Sequence, residues 1–231
     1  MKLFLFDSEL DKEVNQIIKM VQLRKHGEVA ELIDTPGNRY KMSYGVSLNQ
    51  LIQIAEKYLN NNRLAEQLWF KEIRETMLLA TMICNPDEFT TEQFKEWIEL
   101  VHALELAEHL SKNLVSNTSH LEQMIDVALD QPDEAQNSTG WFSAGWALRR
   151  ENLVAGELTQ RMISKNNPEG LIQYPFQARA VSFMLRQLIR SSTEGKKQAE
   201  EWSETYRFSN NYYVKMILEE VKTELIWGNN H

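Results

Sequence analysis

Apolar residues in this chain recur at intervals of three and four, and nowhere do they alternate with polar ones over a run long enough to make a strand. That spacing places them along one side of a helix. Val14, Ile17, Ile18 and Val21 form one stripe. Leu48, Leu51, Ala55 and Tyr58 form a second, with Ser47 in position to cap its N-terminus. Ile73, Met77, Ala80 and Cys84 form a third. Thr91 precedes a helix carrying Phe94, Trp97, Ile98 and Val101, and a fifth stripe runs through Leu121, Met124, Ile125, Ala128 and Leu129. A helix is expected from Ile172 to Ile189, with Pro175 in or before its first turn, where its missing N–H costs nothing. The last helix carries Tyr213, Met216, Ile217 and Val221. The helix breakers fall between these segments, at Pro36-Gly37, Asn85-Pro86-Asp87, Gln131-Pro132-Asp133 and Asn166-Asn167-Pro168. Helices with one apolar side must bury it on one another, so the pattern predicts a stack of paired helices.

Pro86, Pro132 and Pro168 lie 46 and 36 residues apart, close to the ~40–47-residue period of HEAT and armadillo repeats. The expected fold is therefore all-α, a HEAT/armadillo-like α-solenoid of antiparallel helix pairs, forming a single domain over residues 1–231. Self-similarity between segments is weak, so periodicity alone leaves a helical bundle open. A chain of 231 residues is long enough to bury a sizeable core, and Trp69, Trp97 and Ile98 are expected in it. No window approaches the ~18 apolar residues of a membrane span. The start, through Asp7, has only four apolar residues in a row, too few for a signal-peptide core. The one cysteine, Cys84, cannot form an internal disulfide and sits in an apolar stripe, which predicts a buried thiol in a reduced, cytoplasmic setting. The five histidines have no metal-ligand spacing with Cys or Asp, and there is no Gly-rich phosphate loop, G-x-S-x-G or C-x-x-C motif. Neither metal nor cofactor is expected, and the chain is read as a monomer.

Net charge is −8, which alone argues against a nucleic-acid binder. Its distribution is uneven. From Trp141 to Lys197 there are nine basic and four acidic residues, a net +5, against −13 for the rest of the chain. A basic face on an acidic protein suits a polyanion; charges scattered over helix surfaces account for the same count.

The segment Tyr44-Gly45-Val46-Ser47, Ile54-Ala55, Leu64-Ala65, Leu68-Trp69, Arg74-Glu75 and Leu79-Ala80 resembles the N-terminal half of the AlkD-like DNA alkylation repair family. Gln177-Ala178-Arg179-Ala180-Val181-Ser182-Phe183-Met184-Leu185-Arg186 resembles the same family's late helix, and the resemblance spans roughly Tyr40 to Arg190. It implies a HEAT-like superhelix whose active members are alkylpurine DNA glycosylases. Those members use a Trp and an Asp one turn apart, an Arg from a middle repeat and a Trp on the late helix. Breaking an N-glycosidic bond builds positive charge on the sugar, which a carboxylate stabilises while aromatic faces hold the cationic base. Here the Trp position matches Leu104, the Asp position Glu108, the Arg position falls near Ser143 or Ala144, and the late Trp matches Phe183. A second register instead sets Trp146, Arg149 and Arg150 on the late-helix motif; the spacing favours Phe183.

Three functions follow. The first is a DNA-binding member of this family, recognising damaged or structured duplex with base excision weak or lost. Its candidate contacts are Trp141, Trp146, Arg149, Arg150, Arg179, Phe183 and Arg186. The second is an active glycosylase using Glu108 as its carboxylate. The third is a HEAT-like scaffold for a protein partner. Packing between helices is the plainer reading of Trp141 and Trp146 taken singly, and a solvated helix charge the plainer reading of Glu108.

Overall fold

The computed structural model describes residues 7–33, 39–165 and 175–227. Among them there is no strand, only an isolated bridge between Met42 and Ile73. The chain divides into two compact units, Met1–His120 and Leu121–His231.

In the first unit, α1 (Ser8–Gln22), α2 (Gly27–Ile33), α3 (Leu48–Ala55), α4 (Asn62–Trp69), α5 (Arg74–Ile83), α6 (Thr91–Ile98) and α7 (Leu104–Asn113) follow one another. Asp7 caps α1 by accepting from the Glu9 and Leu10 amides, and Leu10, Val14, Ile17 and Val21 form its buried side. Ser47 holds the N-cap position of α3 but makes no capping bond; its hydroxyl bonds the Gln50 side chain instead. The cap of α6 is Thr90, one residue before the expected Thr91, in a capping box with Gln93. Packed against α3, α4 and α7, α5 is buried on nearly every side. The core centres on Trp69 and Trp97, whose rings stack 4.3 Å apart at 9°, with Phe89 edge-on to Trp97. Trp69, Trp97 and Ile98 are all buried as expected.

In the second unit, α8 (Leu121–Leu129), α9 (Glu134–Arg149), α10 (Glu157–Lys165), α11 (Pro175–Ser191), α12 (Thr193–Tyr206) and α13 (Tyr212–Trp227) are described. Between α8 and α11 lies α9, buried on all sides from Ala135 to Gly145 despite its Ser, Thr, Asn and Gln content. Its small residues permit the close approach: a Cβ added to Gly140 would lie 3.0 Å from Leu129. Pro175 opens α11, as its fixed φ and missing donor favour. Glu134 accepts from the Phe176 and Gln177 amides and so caps α11 from α9. The apolar side of α13 is Val214, Ile217 and Val221; Met216, expected on it, is 43% exposed. The expected breaks at Pro36-Gly37 and Asn166-Asn167-Pro168, and the Ile172 end of the predicted helix, lie outside the described residues.

Candidate nucleic-acid interface

The last turn of α9 carries Trp146, Arg149 and Arg150, at the i, i+3 and i+4 spacing that brings side chains together on a helix surface. The Arg149 guanidinium lies 5.2 Å from the centre of the Trp146 ring and that of Arg150 5.5 Å, both within cation–π range. Partial burial and the neighbouring Arg149 charge lower the Arg150 pKa. From α11, the Phe183 ring packs 5.2 Å from Trp146 and 5.9 Å from Phe142. Gly145 makes room for it, since a Cβ there would lie 2.6 Å from the Phe183 ring. The two registers of the late-helix motif, one pointing to Phe183 and the other to Trp146, therefore meet in one cluster. Both residues are half-buried, and the two arginines are exposed beside them. Trp141, five residues earlier, is buried at 5% exposure and packs inside the unit rather than lining a groove.

Several of the remaining basic residues of the segment are engaged with acids. Arg186 pairs with Glu220 at 3.6 Å, while Ser182 donates a short hydrogen bond to the same carboxylate. Arg190 binds Glu224 through two bonds of 2.6 Å. Arg161 pairs with Asp126 at 3.0 Å. Arg179 is exposed on α11. The acids that offset this segment come from α8 and α13, so the +5 counted along the sequence overstates its free charge.

Glu108 lies in the first unit, half-buried on α7, one turn after Leu104. Ser143 and Ala144 are both fully buried in the packing of α9 and present no cation. A different carboxylate on α7 is structurally prominent. Glu105 takes two hydrogen bonds from Arg74, at 2.7 and 2.5 Å, and one from the Tyr40 hydroxyl. Burial opposes its ionisation, but the Arg74 guanidinium and the Tyr40 hydroxyl hold its pKa below the ordinary value. Next to Arg74, the fully buried Glu75 accepts from the Tyr44 and Val46 amides and from Ser43. Gly45, at φ 71, turns the chain through this clamp; a Cβ there would lie 2.2 Å from the His26 carbonyl oxygen. The Tyr44-Gly45-Val46-Ser47 and Arg74-Glu75 motifs thus encode a loop tied to a buried charge network. Nothing in the local sequence distinguished that role from a site.

Cys84 is buried, and burial pushes its thiol up to about 12, far from the range of a reactive thiolate. Among the described residues, no group of three or more His, Cys, Asp and Glu could hold a metal ion, and no helix is long and apolar enough to cross a membrane.

By its fold the chain is an all-helical repeat protein. It belongs to the DNA alkylation repair enzyme family, whose sequence model matches residues 22–199. A solved structure described as a new family of proteins related to the HEAT-like repeat DNA glycosylases, with affinity for branched DNA structures, superposes with a TM-score of 0.72. The two share 17% identity, and the match covers 91% of this chain and 94% of that one. At that identity the likeness establishes the fold, which is HEAT-like. No curated protein matches the chain.

Proposed function

We propose that this protein binds structured or damaged duplex DNA through the Trp146 edge of its second unit, with base excision weak or lost. The observation that carries the reading is the Trp146 ring with Arg149 and Arg150 over it and Phe183 beside it. The Arg149 guanidinium, at cation–π distance from the indole, brings charge-assisted N–H donors that suit phosphate to the same edge as the ring. An aromatic ring beside it gives a base something to stack on, which an intact duplex does not need and a branched one does. The affinity for branched DNA in the structurally similar protein supports the same reading.

Weak excision follows from the family positions. By the family resemblance the cation-holding Trp position matches Leu104 and the Arg position falls near Ser143 or Ala144, all three buried. Removal of one such electrostatic partner costs on the order of 10²–10³ in rate, which leaves Glu108 to act without them. The test is release of 7-methylguanine or 3-methyladenine from alkylated duplex in single turnover. Background release is expected; robust release that Glu108→Gln abolishes would make the protein an active glycosylase with Glu108 as its carboxylate.

A second reading, a scaffold for a protein partner, is favoured by the net charge of −8 and by the pairing of Arg161, Arg186 and Arg190 with acids. It predicts no affinity for any duplex at low salt.

A further inference from the structure

A cleft of about 550 Å³ lies in the second unit, between the C-terminal turn of α9 with the segment after it and the junction of α11 with α12. Leu148, Leu153 and Val154 form its apolar side, with Val154 75% exposed. Its polar side includes Arg149, Gln187 and Ser192. Gln187 is 6% exposed, yet no hydrogen bond engages its carboxamide among the described residues. Of the neighbouring polar groups, the Ser191 hydroxyl donates to the Leu188 carbonyl, Ser192 accepts from the Gly195 amide, Arg190 is held by Glu224 and Glu194 accepts from Gln198, while the Glu151 carboxylate also lines the cleft. Gln187 and Arg149 remain to read a ligand, beside the Glu151 carboxylate.

We propose that this cleft receives an unpaired purine base displaced from a structured duplex. A carboxamide presents a donor and an acceptor side by side, the complement of the adenine N6 and N7 edge. Branched aliphatic side chains pack against the face of an extruded base. Arg149, which both lines the cleft and lies over the Trp146 ring, meets the phosphate next to that base. The inference rests on the DNA reading above and names the feature that reading leaves open, the unpaired base that makes a damaged or branched duplex preferable to an intact one.

The test uses the full chain and three labelled duplexes of one sequence: fully paired, with a single-adenine bulge, and with an abasic bulge. The adenine bulge is expected to bind about tenfold tighter than the abasic one, the scale of one paired amide contact to a base. Gln187→Leu and, independently, Leu153→Trp, which fills the cleft, should each erase that difference while leaving the fully paired duplex unaffected. Equal binding of the two bulges by the unmodified protein, or a preference that survives both variants, overturns the proposal. Competition by free deoxyadenosine monophosphate without any bulge preference also overturns it and assigns the cleft to a free nucleotide. If no duplex binds at all, the DNA reading itself has failed; if duplexes bind without discriminating the bulges, only the base pocket has.

Discussion

Trp97 and Trp69 stack almost parallel at 4.3 Å, and neither indole N–H has a hydrogen-bond partner among the described residues. The pair contributes through area and ring contact alone. Trp97→Ala should cost about 3–5 kcal/mol, whereas Trp97→Phe, which sacrifices no hydrogen bond and keeps a ring, should cost distinctly less. Urea midpoints of the two variants check this, and equal destabilisation by both would show that ring stacking is not the contribution. Two titrating groups on α7 make a second prediction. Burial lowers the pKa of His109, so its contribution is intact above the ordinary value of 6.5 and is lost as pH falls toward its depressed folded value. The folded pKa of Glu105 also lies below its ordinary 4.5, so its contribution is present above that value and is lost as pH falls through the folded pKa. Stability should decline in two stages on acidification. Glu105→Gln should be less stable at pH 7 and decline less steeply over the lower stage, where Asp7, whose pKa is also lowered, still titrates; a decline parallel to the unmodified protein would show that Glu105 is not a titrating group.

The elements show how much of the fold the sequence disclosed. The stripe in α1 was legible because that helix buries one side and exposes the other, as Val14, Ile17 and Val21 do. By contrast, α9 could not be read that way: enclosed by α8 and α11, it is buried all round and has no apolar side to detect. For the same reason, the choice between Trp146 and Phe183 could not be settled along the chain. They stand on different helices, and only the packing of α9 on α11 brings them together. Gly145 controls that approach. Gly145→Ala should displace the Phe183 ring, cost about 1–3 kcal/mol and weaken DNA binding beyond what the remaining folded fraction explains. Measuring affinity and unfolding on the same preparation separates the two effects; a variant as stable as the original with unaltered affinity would remove Phe183 from the interface.

For the whole molecule, the charge pattern was the least legible feature. A count over Trp141–Lys197 finds an excess of basic residues, but the acids facing them, Asp126, Glu220 and Glu224, lie outside that stretch of sequence. The reach of the DNA reading therefore narrows from a basic segment to the Trp146 edge, where Arg149 and Arg150 project from the end of α9. The most direct test of that claim is the affinity for a branched duplex as a function of salt. The unmodified protein should bind more tightly as salt is lowered. Arg149→Ala with Arg150→Ala should weaken binding and reduce the salt slope by about 0.9 for each phosphate no longer neutralised, while Arg186→Ala, whose charge already engages Glu220, should change the slope less. Unaltered affinity and slope in the Arg149/Arg150 double variant, or no binding by the unmodified protein even at low salt, would contradict the account.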